Sequence, residues 1–400
     1  MPPSMSSGPR ILLIAERFPP DLGGLARSGA RTAGALARLG AQVDVLSWTR
    51  SLAPGALQTL AAGEVAVAAR GATLHRLGLF GQTDTSLQHT LDVLDYLHAQ
   101  RRYQLVWGHY LSPPGFMAVT FAGLAGIPST VSARGNDVDQ AMFPPGDFAR
   151  LLWTLQRATV LTAASGDLAR KMRMLLGHDP GVEVIPNAVD SSLFRPGPPD
   201  SALRQRLGIQ PDELVLGFSG ELRHKKGTPF LLSALSAVRK VRPACLLVIG
   251  EVRSRELEHL SVYRAEHPED AARIIISGRL DAPEDVAAHL RLCDVYLQPS
   301  LWDGMPNAML EAMACARVVI ASDAGGIPEA LAHERNGFLV PKALLNHLGQ
   351  ATLDVLSLPE ERRAALGAAA RARIEEHFQA QAEAEVLQRV LSRAIPKASS

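Results

Sequence analysis

Asp303 and Glu311 are two carboxylates separated by seven residues in the stretch 299–311, PSLWDGMPNAMLE. The stretch reads as a strand end, a loop and a helix start. Gly304 lets the backbone turn tightly, and Pro306 suits the first turn of a helix, where its missing N–H costs nothing. The free N–H groups of such a turn make an anion site. Asp303 then sits just before the helix, and Glu311 points from its second turn. Acceptors for hydroxyls beside donors for phosphate are what a sugar nucleotide requires. The same pattern also reads as a capped helix packed on a sheet.

A second chemical stretch is 219–227, SGELRHKKG, between a strand and a helix. Gly220 opens it, and Arg223, His224, Lys225 and Lys226 follow. Fixed charge beside the positive end of a helix makes a diphosphate cradle, the alternative being a solvated basic turn. In the first half, Gly23 and Gly24 follow a strand and can let a phosphate approach the backbone. As a lone glycine pair they also read as a plain turn. His109 lies just past the end of a strand, and 133–137, ARGND, lies at the same edge. Ligands of open α/β sheets bind at the carboxyl ends of strands, so His109 and Arg134 stand in a suitable place. Each also has a structural reading, His109 as a packed residue and Arg134 as a partner of Asp137. Asp137-Val138-Asp139 matches a metal-holding D-x-D pattern, but no ligand cluster accompanies it, and no metal site is expected.

Alternating strands and helices must position these residues. Apolar runs at 11–15, 43–47, 73–77, 104–107, 129–132, 159–163 and 182–185 read as strands. Helical spacing is read at 25–39, 53–70, 86–100, 114–126, 148–157 and 166–176, the second of these from its alanine content. The pattern restarts with strands at 214–218, 245–249, 274–276, 295–297, 318–321 and 338–340. Helices are read at 228–241, 253–267, 283–292, 305–314, 344–356, 360–378 and 379–394. Strand, glycine loop, helix, strand implies parallel sheets. The proline-rich FRPGPPD at 194–200 reads as a linker. The expected organisation is a Rossmann-like domain over 1–193, a linker over 194–207, a second Rossmann-like domain over 208–377, and a terminal helical segment over 378–400 returning to the first.

Four hundred residues make two domains the prior, and 47% apolar with 20% charged residues is ordinary for a soluble globular chain. A net charge of +1 gives no bulk attraction to nucleic acid. Cys245, Cys293 and Cys315 have no metal-like spacing and read as buried thiols in a reducing compartment. With no signal-peptide pattern and no apolar run of spanning length, the expectation is a cytoplasmic protein. Residues 150–176 place Arg157, Arg170, Lys171 and Arg173 beside Leu and Trp. That composition suits peripheral contact with an anionic membrane face, or ordinary helices with snorkelling cations.

Taken together, these motifs resemble the retaining glycosyltransferases of family 4, whose GT-B fold has two facing Rossmann-like domains and an interdomain cleft. The most specific stretch is PSLWDGMPNAMLEAMACARVVIASDAGGIPE. VIPNAVD at 184–190, Lys226-Gly227, Gly23-Gly24 and NGFLV at 336–340 match as well. The resemblance implies that Glu311 holds the ribose hydroxyls and Asp303 the donor sugar. The backbone of Gly304, Met305, Pro306 and Asn307 would face sugar and phosphates. Lys226 would bind the diphosphate, and Gly24 would allow close approach. It also implies a metal- and cofactor-free transfer from a UDP-, GDP- or ADP-sugar. The acceptor would be a sugar, a lipid-linked saccharide or a small molecule, as in cell-envelope polysaccharide assembly. Four positions depart from the pattern: Asp303 for Glu, Arg134 for His, Glu221 for Arg and Ala316 for Gly. Arg223 or Lys225 can reach in for the arginine. These departures leave a degenerate nucleotide-sugar-binding partner as the alternative, besides an epimerase or phosphorylase of the same fold.

Overall fold

The computed structural model describes residues 8–21, 23–61, 63–64 and 69–396. It divides into two compact units that part between Pro186 and Asn187, with the chain rejoining the first unit at Gln381. The first unit is built on β1 (Arg10–Ala15), β2 (Gln42–Thr49), β3 (Leu57–Leu60), β4 (Ala72–Gly78), β5 (Leu105–His109), β6 (Ser129–Ala133), β7 (Val160–Ala163) and β8 (Glu183–Val184). These strands lie in the order β3-β4-β2-β1-β5-β6-β7-β8, and every neighbouring pair is parallel except β3 with β4.

The buried runs explain the architecture. Along β1, Ile11, Leu13 and Ala15 enter one apolar cluster while Leu12 and Ile14 enter another. Successive side chains of a strand face opposite ways, so a continuous apolar run needs helices on both faces of its sheet. Strand order runs outward in both directions from β1, which places a crevice at the carboxyl ends of β1 and β5. His109 is the last residue of β5, inside the strand rather than past its end.

The second unit repeats the design with β9 (Leu214–Ser219), β10 (Ala244–Ile249), β11 (Ile274–Ile276), β12 (Val295–Gln298), β13 (Val318–Ser322) and β14 (Phe338–Val340). Their order is β11-β10-β9-β12-β13-β14, all parallel. Its reversal falls between β9 and β12, the strands that lead into the two chemical loops.

The described residues at the start of the alanine-rich stretch 53–70 form a strand where a helix is expected. Leu57–Leu60 forms β3, antiparallel to β4 with Leu57 opposite Leu77 and Leu60 opposite Leu74. Gly55, at φ +77°, turns the chain, and its N–H donates to Gly78 O at 2.9 Å. Tertiary pairing overrides the weak helical preference of alanine here. Residues 62 and 65–68 of that stretch lie outside the described residues. The 133–137 loop runs directly into a short helix, Asp137–Ala141.

The stretch 194–200 carries no helix or strand, but it is anchored. Phe194 and Leu203 are buried in the core of the second unit, and the Asp200 side chain caps the helix Ser201–Arg206 by accepting Leu203 N–H at 3.0 Å. The division therefore precedes Phe194, because its ring belongs to the second core. At the other end, the helix Ala380–Ala394 places Val386, Leu387, Val390 and Ala394 in the core of the first unit. That spacing puts all four on one face. Ala316 has φ +55°, a left-handed conformation that glycine adopts more readily, which fits the glycine that the resemblance leads us to expect there. Among the described residues no helix is long and apolar enough to cross a membrane. Leu387 is fully buried. Leu387→Ala is expected to destabilise the first unit by about 2–5 kcal/mol, read as a lower urea midpoint.

Candidate functional site

In the second unit, the loops after β9 and β12 are strapped together. Leu301 N–H donates to Lys225 O at 2.8 Å. Gly227, at φ +83°, lies so close to the other loop that a Cβ there would stand 2.0 Å from Pro299 O. This brings the Lys226 ammonium into direct contact with Asp303 Oδ2. Ser300 Oγ reaches the same carboxylate oxygen at 3.4 Å and accepts Gln298 Nε2 at 2.8 Å. Tyr296 OH donates to Gln298 Oε1 at 2.9 Å. All three supporting side chains are buried. The Asp303 carboxylate is thus positioned from below by a polar chain rooted in β12.

Three further contacts shape the turn. A Cβ on Gly325, at φ +54°, would lie 1.8 Å from Asp303 O. Gly326 N–H donates to Gly304 O at 2.7 Å, and Asn187 Nδ2 donates to Met305 O at 2.9 Å. The helix that follows is Asn307–Ala314, so Pro306 sits one residue before it, at the cap, and Met305 lies in the loop. Among the described residues the N–H groups of Asn307 and Ala308 have no hydrogen-bond acceptor. Asn307 Oδ1 is buried without a partner among them too. These groups, with the positive end of the helix, form an anion-receiving edge beside Lys226. Glu311 is 8% exposed on the second turn of the same helix.

The other loop residues divide by environment. Arg223 Nη2 holds Glu221 Oε2 at 2.7 Å, so the residue expected to stand in for a missing arginine is engaged with Glu221 itself. Gly220, at φ +124°, lies under Gly250, where a Cβ would stand 2.4 Å from Gly220 O. Burial, with Lys226 close by, pushes the Lys225 ammonium down to about 8. Beside this loop is a cavity of about 670 Å³ lined by Glu221, Glu251, Arg253, Ser254, Leu257 and Ile276 among others. The sequence reading missed it. Its signal was available, since these residues cluster at the carboxyl ends of β9, β10 and β11.

In the first unit, Gly24 opens the helix Gly24–Arg38, and a Cβ there would meet nothing within 4 Å. His109 is 1% exposed, and neither ring nitrogen has a hydrogen-bond partner among the described residues. Burial, with Arg134 and Arg31 nearby, holds its imidazole well below the usual value, so it is neutral at physiological pH. Arg134 Nη2 donates to Ser28 Oγ at 3.1 Å, and Arg31 Nε donates to Glu383 Oε1 at 3.0 Å. His109 and Arg134 are therefore brought together. Asp137 pairs with the backbone instead of the Arg134 side chain. Its carboxylate accepts the N–H groups of Arg134 at 3.1 Å, Gly135 at 3.1 Å and Leu111 at 3.2 Å. Asp139 is paired with Lys171 Nζ at 2.9 Å. Among the described residues no group of three or more His, Cys, Asp or Glu is arranged to hold a metal ion.

The two α/β units, built on mostly parallel sheets, have the GT-B fold. The solved structure of sucrose-phosphate synthase from Thermosynechococcus elongatus superposes with a TM-score of 0.76, at 20% identity over 96% of this chain and 98% of that one. Residues 23–188 match the glycosyl transferase 4-like domain, and residues 213–357 match the glycosyl transferases group 1 model. The chain is thus similar to glycosyl transferase 4-like domains over its first unit and to the group 1 glycosyltransferases over its second. It is 28% identical over 277 residues to the D-inositol 3-phosphate glycosyltransferase of Segniliparus rotundus, covering 67% of this chain and 61% of that protein. It is also 28% identical over 380 residues to a GDP-mannose-dependent alpha-(1-6)-phosphatidylinositol monomannoside mannosyltransferase of Mycobacterium tuberculosis. That match covers 90% of this chain and 92% of the relative.

Two predictions follow from this geometry. Gly325→Ala should push the Asp303–Gly304 turn out of place and cut turnover by on the order of 10²-fold, with a near-native circular dichroism spectrum. Lys225 loses its charge above its lowered pKa, and a bound diphosphate favours the charged form. Binding above about pH 8 therefore requires proton uptake. Diphosphate affinity measured by calorimetry should be level below pH 7 and fall by up to about tenfold per unit above pH 8. Lys225→Arg should flatten that profile, because arginine stays charged.

Proposed function

We propose that the chain is a metal-independent, retaining glycosyltransferase that moves a sugar from a nucleoside diphosphate sugar to an acceptor hydroxyl. The observation that carries this reading is the contact of Lys226 with Asp303 beside the unengaged helix N–H groups. A hydroxyl-binding carboxylate and a phosphate-binding cation occupy one small volume. On donor binding, the β-phosphate takes Lys226 and the N–H groups of Asn307 and Ala308, and Asp303 turns to the sugar hydroxyls. Glu311 accepts from the ribose, and the 670 Å³ cavity receives the base. As the glycosidic bond breaks, negative charge grows on the leaving diphosphate. Lys226, Lys225 and the helix end stabilise it without reorganising. Those fixed charges supply what a divalent cation supplies elsewhere, which supports the metal-free reading. The leaving phosphate takes the proton of the incoming acceptor on the same face, so configuration is retained.

The donor to test first is GDP-mannose, on the strength of the mycobacterial relative. The acceptor class is a lipid-linked or polysaccharide precursor of the cell envelope, met in the cytoplasm at the membrane face. Thermal shift with UDP, GDP, ADP and their sugars should give a rise with one base, lost in Glu311→Ala. No rise with any nucleotide would overturn the donor site. Lys226→Ala should lower turnover by on the order of 10²-fold or more, and transfer should survive excess EDTA. An unchanged rate in Lys226→Ala would remove the role given to that lysine.

A further inference from the structure

The helix Glu256–Glu266 opens with a carboxylate that turns away from water. Glu256 is 3% exposed, although its chain neighbours Arg255 and Leu257 are both exposed. A buried carboxylate carries a desolvation cost that hydrogen bonds must offset. Both of its oxygens are engaged. Oε1 accepts the backbone N–H of His224 at 2.7 Å, and Oε2 lies 3.3 Å from His259 Nδ1. Burial acts to raise its pKa, but the hydrogen bonds outweigh it, the one with His259 foremost. The carboxyl is held below its usual value and is charged at neutral pH.

His224 begins the 3₁₀ turn His224–Lys226 in the loop after β9. The first N–H of such a turn has no acceptor inside it. Glu256 supplies one from another helix. The other bonds close the turn on itself and on the neighbouring loop. Gly227 N–H donates to His224 O at 2.9 Å, and Lys225 O accepts Leu301 N–H at 2.8 Å. Lys225 and Lys226 therefore stand on a turn fixed at its start by Glu256 and further along by the loop after β12.

The segment that carries Glu256 also walls the cavity of about 670 Å³. Glu251, Val252, Arg253, Ser254 and Leu257 line it. Backbone bonds tie this segment to the start of the basic loop: Leu222 N–H donates to Glu251 O at 2.8 Å, and Arg253 N–H donates to Leu222 O at 3.1 Å. One stretch of chain thus gives its other side chains to the cavity and the Glu256 carboxylate to the lysine turn.

We propose that Glu256 is a positioning residue: its carboxylate holds the lysine turn at a set distance from the cavity wall, so that the base and the diphosphate of one nucleotide can be received together. The ligand in that statement rests on the nucleotide-sugar reading, whereas the hold itself belongs to the free chain. Glu256 acts through the His224 N–H and not on the substrate. Such a bond is charge-assisted and roughly twice as strong as one between neutral groups.

The test compares Glu256→Gln, which keeps an acceptor oxygen on a side chain of the same shape, with Glu256→Ala, which keeps none. Amide hydrogen exchange of peptides covering 220–228 in the free protein reads the hold directly. Exchange there should quicken by about tenfold or more in Glu256→Ala and by less than about threefold in Glu256→Gln, while peptides from β9 and β12 stay at the native rate. With the donor that thermal shift identifies, turnover should fall by about tenfold or more in Glu256→Ala with the donor KM moving less than about threefold, because the lysines act most on charge that grows as the bond breaks. Glu256→Gln should keep most of the native turnover. Native exchange of the loop in Glu256→Ala, or a turnover loss that Glu256→Gln shares in full, would overturn the positioning role. Failure of the nucleotide reading would show in the thermal-shift experiment on the native chain, and the exchange measurement would still decide the hold.

Discussion

The site in the second unit depends on one close approach. The loops after β9 and β12 pass so near each other that residue 227 has no room for a Cβ. Because β9 and β12 are neighbours in the sheet, both loops leave the same edge, and Leu301 N–H ties one backbone to the other. Only then can a lysine from one loop meet an aspartate from the other. Gly325 repeats the constraint from a third direction, against Asp303 O. The glycines set where the charged side chains stand.

Charge is handled differently in the two units. In the second, Lys226 and Asp303 answer each other, as do Arg223 and Glu221. Such pairs hold flexible side chains in place until a ligand takes over one partner. In the first, Arg134 lies deep beside a neutral His109, with its guanidinium against Ser28. Asp137 serves three backbone N–H groups and is withdrawn from ligand chemistry. Arg134 thus rests on a built support, and the neighbouring acid belongs to the loop that carries it.

Much of this was legible in the chain. Buried strands announced themselves as apolar runs such as ILLIA, and the two chemical stretches fell at strand ends because glycine and proline punctuate them. The local residue types did not carry the rest. β3 was hidden because an alanine-rich stretch has helical preference, and only the facing edge of β4 makes it a strand. Asn187 supports Met305 across more than a hundred residues of chain, a relation no local spacing reveals. The boundary near residue 194 was misplaced for a similar reason: prolines marked an irregular backbone, but the Phe194 ring decides where that backbone belongs. The cavity beside the basic loop arises from convergent strand ends, visible once the sheet order is known.

The helix Ala380–Ala394 has a consequence for how the molecule is made. It completes the core of the first unit, yet it leaves the ribosome after the whole of the second unit. Residues 187–380 can close their own core while residues 8–186 still wait for Val386, Leu387 and Val390. The order of maturation is then the reverse of the usual amino-terminal-first sequence. A nascent chain stalled before the last turns of that helix would carry one finished unit and one with an open apolar seam, the kind of surface that chaperones hold.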